Sequence, residues 1–134
     1  MIKVEHLFKG FDGTPVLKDI SVVYEPGKCN MIIGASGSGK TVLLKNLIGL
    51  MEPDSGEIFY GDKCLTGMSY VEKKALRQNI GILFQGSALF DFATVIENVM
   101  FPMEFFTDWS KSQRIERAKY CLEKVNVIGS DDKY

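Results

Sequence analysis

The stretch Gly34–Thr41, with the sequence GASGSGKT, decides how this chain is expected to fold. It matches the pattern G-x-x-x-x-G-K-[ST], which has meaning only where a buried strand leads into it and a helix leads out of it. The short apolar run Cys29–Ile33 precedes the stretch, and the largely apolar segment Val42–Leu50 follows it. The sequence therefore predicts a buried strand, a phosphate-binding loop and a core helix that ends between Gly49 and Pro53.

Each part of the pattern has a physical role in holding phosphate. Glycines let the backbone wrap closely around phosphoryl groups, so that successive N–H groups form an anion nest, and the helix that starts near Lys40 adds the positive end of its dipole. Lys40 would bring a full charge to the β- and γ-phosphates, and the Thr41 hydroxyl would coordinate Mg²⁺. The predicted ligand is Mg-ATP, held by Gly34, Ala35, Ser36, Gly37, Ser38, Gly39, Lys40 and Thr41. A Gly/Ser-rich loop with an incidental lysine is the alternative, and the flanking elements disfavour it.

Composition limits the classes of function. The 134 residues, 46% of them hydrophobic, suit one soluble globular unit or part of one. With 16 basic and 17 acidic residues the net charge is -1, which gives no support to a nucleic-acid partner. The three cysteines lack metal-ligand spacing and are expected to be reduced, mostly buried thiols. No signal-like start or membrane-spanning apolar run is present in the sequence, so a cytoplasmic location is expected.

The other elements follow from periodicity and turn formers. Apolar runs predict a strand hairpin and two later strands, and two capping-box patterns begin predicted helices. The strands are expected at Ile2–Phe8, Val16–Tyr24, Glu57–Tyr60 and Ile80–Phe84, and the helices from Ser69 to Gln78, over 94–106, and from Ser110 to Asn126. Strands that alternate with helices indicate an α/β fold with a mainly parallel sheet, preceded by an antiparallel hairpin.

The chain resembles the nucleotide-binding subunits of ABC transporters. The resemblance rests on the loop together with Phe11 before the Val16 strand, Pro53–Ile58 (PDSGEI) after the loop helix, and Leu83–Gln85 (LFQ) at the end of a strand. It covers the whole chain but corresponds to the first part of such a domain. It implies a P-loop NTPase fold with a RecA-like core, present here as an incomplete domain over residues 1–134.

The resemblance also assigns roles to single residues. It implies that Phe11 stacks on adenine, that Val16 contacts the ring, and that Gln85 contacts Mg²⁺ and the attacking water. Taken alone, Phe11 would be a hairpin core residue and Gln85 an ordinary loop amide. Val42 stands where the family generally has Ser or Thr, so any contact with the α-phosphate there must come from its backbone N–H. His6 is expected to be a strand histidine without function, because the family's catalytic histidine lies far downstream.

Shorter strings resemble one subgroup, the ATPases of Mla-type phospholipid transporters and related organic-solvent-tolerance systems. They are Thr41–Leu50, Phe84–Asp91 and Glu97–Val99. In the family, a coupling helix of the membrane permease docks just after the Gln85 segment. Six apolar side chains would suit this docking groove, although a place in the core is equally compatible with the sequence: Leu89, Phe90, Phe92, Phe101, Phe105 and Phe106.

Three family features are absent from the 134 residues. The sequence contains no Ser-Gly-Gly signature string, no Asp-Glu pair at the end of an apolar strand (the Walker B feature), and no downstream switch histidine. Hydrolysis needs a group that orients or deprotonates water, so the resemblance implies an ATPase in the intact protein and little turnover by this stretch. Missing sheet strands should also leave unpaired edges and exposed apolar surface.

The resemblance implies a cytoplasmic subunit that lies on the cytoplasmic face of the inner membrane when it is assembled into a transporter. Its partners would be a membrane permease and a second ATP-binding subunit. A P-loop small-molecule kinase is an alternative, although such kinases usually clamp phosphates with several lid arginines and this chain has only Arg77, Arg114 and Arg117. A non-transport ABC nucleotide-binding module is a second alternative.

Overall fold

The structure is a computed structural model, and it describes residues 1–84, 86 and 88–134. It divides into two compact units, Met1–Ile82 and Leu83–Tyr134. The first unit contains β1 (Ile2–Phe11), β2 (Thr14–Tyr24), α1 (Lys40–Leu47), β3 (Ser55–Tyr60), β4 (Lys63–Cys64) and α2 (Tyr70–Arg77), and the second contains α3 (Val95–Phe106) and α4 (Lys111–Lys124). Among the described helices, none is both long and apolar enough to cross a lipid bilayer.

The sheet of the first unit has the strand order β2-β1-β3-β4, and every neighbouring pair is antiparallel. The predicted hairpin is confirmed: β1 and β2 are joined through Asp12 and Gly13, both with positive φ, as a tight two-residue turn requires. One cluster of buried side chains joins the sheet to α1 and gives the unit its core: Val4, Leu7, Leu17, Leu43, Leu47, Ile58 and Leu65. The loop before α1 therefore begins a helix that is anchored on the hairpin.

The prediction of a mainly parallel sheet is wrong for the described strands. The apolar runs Cys29–Ile33 and Ile80–Phe84 were predicted to be strands, and neither takes part in a hydrogen-bonded ladder within the described residues. Apolar patterning identifies a segment suited to burial, but a strand also needs a partner in register. Met31 remains 77% exposed and Leu83 95% exposed, so the expected exposed apolar surface is present at these positions.

Two predictions of burial are also wrong. Helix α1 buries Leu43 and Leu47 on one side, whereas Leu44 on the other side is 40% exposed, so the helix is not surrounded by core. Periodicity alone could not show this, because Leu43, Leu44 and Leu47 are equally apolar and the pattern does not say which of them faces the core. The cysteines are free, as expected, but Cys29 is exposed because the run that carries it has no partner strand among the described residues.

Capping boxes begin the remaining helices. The predicted boxes at α2 (Ser69 with Glu72) and α4 (Ser110 with Gln113) are confirmed, and α3 has a third box that the sequence analysis missed, formed by Thr94 and Glu97. Hydrogen bonds from the Ser69 hydroxyl and backbone N–H lower the pKa of Glu72. In each box the side chains satisfy N–H groups that the helix itself leaves unpaired.

A carboxylate joins the end of β1 to the start of β3. Asp54 accepts a hydrogen bond from Lys9 Nζ at 2.6 Å through Oδ1 and one from the Gly10 N–H at 2.7 Å through Oδ2. Its own N–H donates to the Phe8 carbonyl at 2.9 Å. The bonds from Lys9 and Gly10 lower the pKa of Asp54, because they favour the ionised carboxylate. We call this arrangement the Asp54 clamp.

The backbone at Gly56 predicts a strong requirement for glycine. Its φ is +91°, and a Cβ there would overlap the His6 carbonyl oxygen. Gly56→Ala should therefore lower the free energy of unfolding by more than the roughly 1–2 kcal/mol cost of a left-handed conformation alone. Gly61→Ala is the matched control, since Gly61 has φ +59° and a Cβ there would have no neighbour within 4 Å. Equal urea midpoints for the two variants would contradict this expectation.

The Asp54 clamp predicts a pH-dependent contribution to stability. Because folding lowers the pKa of Asp54 below its ordinary value of 3.8, the contribution is present above that value and is lost as the pH falls through the folded-state pKa. Asp54→Asn should lower the urea midpoint at pH 7, and its difference from the unsubstituted chain should shrink below about pH 4. Asp62→Asn, in the exposed turn between β3 and β4, is the control. A difference that stays constant from pH 7 to pH 3 would count against the clamp.

Candidate functional site

The N-terminus of α1 differs from that of the other described helices. Its N-cap residue, Gly39, has φ 91° and ψ 5° and makes no side-chain capping bond, and the described first turn of α1 contains no acidic residue. The first intrahelical bond runs from the Leu43 N–H to the Gly39 carbonyl at 2.8 Å. Helix N-termini leave their first N–H groups unpaired and carry partial positive charge. This end of α1 is therefore arranged to hold an anion.

Lys40 folds back over the loop that precedes α1. Its ammonium group donates to the Gly34 carbonyl at 2.8 Å and to the Ala35 carbonyl at 2.7 Å, and the Ser38 N–H donates to the Ala35 carbonyl at 3.2 Å. Residues Gly34–Ser38 are exposed, whereas Lys40 is half-buried. The loop thus holds one full positive charge beside the N–H groups at the start of α1. This arrangement can bind a multiply charged oxyanion by electrostatic attraction and backbone hydrogen bonds.

Strand β2 packs directly on the loop at Gly39. Gly39 is buried, and a Cβ there would lie 2.9 Å from Val16 Cγ1 and 3.0 Å from Leu17 Cδ2. The structure therefore brings Val16, which the sequence analysis selected as a ring contact, to the edge of the loop. A glycine is required at this position because both its φ and its surroundings exclude a side chain. Val42, in the next turn, is half-buried and packs against the core cluster.

Phe11 ends β1 and lies opposite Thr14 in the hairpin. Its side chain is 42% exposed, so the alternative that it is a hairpin core residue is wrong. Lys9 Nζ lies 5.5 Å from the centroid of the Phe11 ring, within the range of a cation–π interaction. Lys9 and Asp54 are not among the residues predicted from the sequence, although a cation two residues before an aromatic on one strand is a signal that could have revealed Lys9.

The metal roles of Thr41 and Gln85 both stay predictions, and the structure describes only Thr41. Thr41 is an exposed residue in the first turn of α1. Gln85 lies outside the described residues, so its role stays a prediction. In the described part of the chain, no group of three or more His, Cys, Asp and Glu side chains is placed to hold a metal ion by itself. An Mg²⁺ ion coordinated jointly by phosphate oxygens and one hydroxyl does not need such a group.

The remaining sequence candidates lie apart from this chemistry. His6 is exposed and pairs with Asp19 at 2.7 Å between β1 and β2. A cavity of about 580 Å³ lies between β4 and α2, and the residues that line it do not include those of the phosphate loop. The loop is therefore the candidate site on chemical grounds.

The apolar residues proposed for docking are mostly at the surface of the second unit. All of them except the half-buried Phe90 are exposed, with Phe92 at 76% and Phe105 at 66%, so a place in the core is excluded for those five. Phe101 lies 4.6 Å from Phe90 and 4.9 Å from Phe105, measured between ring centroids. We call the exposed residues the aromatic patch: Leu89, Phe92, Phe101, Phe105 and Phe106.

Known proteins share both the sequence pattern and the fold. The chain matches the ABC transporter family over residues 17–133. It is 37% identical over 138 residues to the L-cystine transport system ATP-binding protein TcyN of Escherichia coli K12, a match covering 99% of this chain and 55% of that protein. It is 35% identical over 133 residues to the methionine import ATP-binding protein MetN of Clostridioides difficile 630, covering 99% and 40%.

A solved structure gives the same result. The dimeric ATP-binding cassette MJ0796, bound to ADP and Pi in a post-hydrolysis state, superposes with a TM-score of 0.86 at 26% identity, covering 100% of this chain and 61% of that one. The chain spans 55% of the length of TcyN and 40% of the length of MetN. These comparisons confirm the resemblance to the family but do not distinguish the phospholipid-transport subgroup. The chain belongs to the ABC transporter family and has the P-loop NTPase fold of its ATP-binding cassettes.

Proposed function

We propose that this chain binds Mg-ATP at the loop Gly34–Thr41 and serves as the N-terminal part of an ABC transporter's ATP-binding subunit. The observation that carries the proposal is the Lys40 ammonium, held beside the uncapped N-terminus of α1. Full and partial positive charges converge there on one exposed loop. A triphosphate carries the multiple negative charge that this arrangement attracts.

The phosphates would be held mainly by backbone groups. The N–H groups of the loop and of the first turn of α1 would donate to phosphoryl oxygens, and Lys40 would exchange the Gly34 and Ala35 carbonyls for β- and γ-phosphate oxygens. The backbone N–H of Val42 would contact the α-phosphate. Mg²⁺, when bound, neutralises the charge that develops on the phosphates, and the Thr41 hydroxyl and Gln85 would be its protein ligands.

The hairpin would provide the nucleobase contacts. Val16 lies against Gly39, and Phe11 lies opposite Thr14, which precedes Val16 by two residues on the same strand. Two residues of a strand span roughly 7 Å, so both side chains lie within the reach of one nucleotide bound to the loop. Phe11 would stack on adenine, and Val16 would contact the edge of the ring.

In the intact protein we expect ATP hydrolysis coupled to transport. Gln85 would contact the attacking water, and the group that deprotonates or orients this water would come from outside the 134 residues, which contain no Asp-Glu pair. The chain by itself would bind nucleotide and turn it over slowly. Support for an ATP-hydrolysing relative comes from the cassette MJ0796, whose structure contains ADP and Pi in a post-hydrolysis state.

The proposed partners and substrate follow from family membership and from the short segments that resemble the ATPases of Mla-type phospholipid transporters. A second ATP-binding subunit is proposed because MJ0796 is dimeric, and a membrane permease because the aromatic patch offers exposed apolar rings for a coupling helix. This would place the protein on the cytoplasmic face of the inner membrane. Phospholipid is the proposed cargo on the strength of Thr41–Leu50, Phe84–Asp91 and Glu97–Val99, although the relatives named above carry L-cystine and methionine in their names.

Substitution of Lys40 tests the phosphate site. Lys40→Ala removes the charged donor, and a charge-assisted hydrogen bond is worth about 1.5–3 kcal/mol, so calorimetric titration with Mg-ATP should show an affinity loss of roughly tenfold or more. Lys45→Ala, in the last turn of the same helix, is the matched control and should bind like the unsubstituted chain. Equal affinities for Lys40→Ala and Lys45→Ala would contradict the proposed function.

Substitution in the aromatic patch tests the permease contact. Phe105→Ser removes an exposed ring and should reduce recovery of the membrane permease when the tagged intact protein is purified from detergent-solubilised membranes. Val71→Ser is the control, because Val71 is similarly exposed, at 73%, but lies on α2 outside the patch. If both variants recover the permease as well as the unsubstituted protein does, the patch is not its docking surface.

A further inference from the structure

Lys9 occupies a defined position between a ring and a carboxylate. Its ammonium lies 5.5 Å from the centroid of the Phe11 ring and 2.6 Å from Asp54 Oδ1. The Lys9 side chain is only 17% exposed, so most of its surface is covered where it lies beside these two groups. Lys9 and Phe11 are two residues apart on β1, and the short distance between the ammonium and the ring shows that their side chains lie together, although the strand register shifts between Lys9 and Gly10.

The Asp54 clamp also fixes the backbone that carries Phe11. The residue between Lys9 and Phe11 is Gly10, whose N–H donates to the second oxygen of Asp54 at 2.7 Å. A Cβ on Gly10 would lie 2.9 Å from the Thr14 carbonyl oxygen, so the two strands approach closely at this point. The carboxylate thus holds the main chain next to Phe11 and the cation that lies over its ring.

An exposed phenyl ring normally samples several orientations. A cation over its face favours those orientations in which the face and the charge remain in contact. Ordering a side chain before a ligand arrives lowers the entropy lost on binding, and this increases affinity without any new contact to the ligand. The 42% exposure of Phe11 leaves ring surface available for such a ligand.

We propose that Lys9 and Asp54 are positioning residues that hold the Phe11 ring as a preformed platform for a nucleobase. This inference rests on the proposed function, because it assumes that nucleotide binds at the neighbouring loop. It goes beyond that function by dividing the affinity between two sets of residues. Lys40 and the loop would account for the phosphate-dependent part, and the clamp would act only on the base-dependent part.

The division can be measured with two ligands. Mg-ATP reports both parts, whereas Mg-tripolyphosphate has no base, so the ratio of their affinities isolates the contribution of the base. Calorimetric titration of the full chain with each ligand gives this ratio for the unsubstituted chain and for Phe11→Ala, Lys9→Met, Lys9→Arg and Asp54→Asn. Thermal unfolding of each variant shows whether it is folded at the temperature of the titration.

The expected results differ among these variants. Phe11→Ala should lower the ratio by roughly tenfold, which is within the range for loss of one aromatic–base stack. Lys9→Met and Asp54→Asn should lower it by about two- to fivefold, as expected for loss of a partly exposed cation–π contact, with tripolyphosphate affinity unchanged. Lys9→Arg should keep the ratio, because arginine retains both the charge over the ring and the ion pair. In a Phe11→Ala background, Lys9→Met should have no further effect on the ratio.

Several outcomes would overturn the inference. If Lys9→Met leaves the ratio unchanged, or weakens both ligands equally, then Lys9 acts on strand stability or on the phosphates and not on the ring. If Asp54→Asn does not fold, the Lys9 variants decide the matter, because they leave the bond from Gly10 to Asp54 in place. If the unsubstituted chain binds ATP and tripolyphosphate equally, this inference is wrong while the phosphate site stands. If it binds neither ligand, the proposed function fails as well.

Discussion

The close approach of β2 to Gly39 is the constraint on which the arrangement of the first unit depends. Without a side chain at Gly39, Val16 and Leu17 reach the backbone at the start of α1, and Leu17 joins Leu43 and Leu47 in the buried cluster. The same contact therefore packs the core and fixes the charged end of the helix relative to the hairpin. A side chain at this position would have to move β2 or α1, and either movement would disturb both the core and the loop.

The start of α1 is exceptional among the helices that the structure describes. In α2, α3 and α4, a Ser or Thr side chain and a Glu or Gln three residues later satisfy the first N–H groups. At α1 the corresponding position is Gly39, which has no side chain to offer. A glycine in place of a Ser or Thr cap costs roughly a few tenths of a kcal/mol, so the chain forgoes a small amount of stability at this helix end, where an external anion can replace the cap. Local stability and function oppose each other at this position.

Features set by local sequence could be predicted, and features set by distant pairing could not. The glycine-rich loop, the hairpin and two capping boxes each depend on residues a few positions apart. The box of Thr94 and Glu97 has the same local signature and could have been found by the same rule. The pair of Lys9 and Asp54 is 45 residues apart, and nothing in either segment alone indicates that they meet. The run Cys29–Ile33 has the composition of a strand, but composition does not specify a partner for its ladder.

The carbonyl groups of the loop compete with any bound anion for the ammonium group of Lys40. Two carbonyl oxygens already accept from the ammonium, so an arriving ion gains only the difference between its own attraction and theirs. Carbonyls carry partial charges. The attraction of the ammonium to a monovalent ion such as chloride exceeds its attraction to the two carbonyls by little, whereas its attraction to adjacent phosphoryl groups exceeds it greatly. The bonds from Lys40 to the two carbonyls thus set a minimum charge density that an anion needs in order to displace them. Abundant monovalent anions would fall below that threshold, which keeps the loop available in a salt-containing solution.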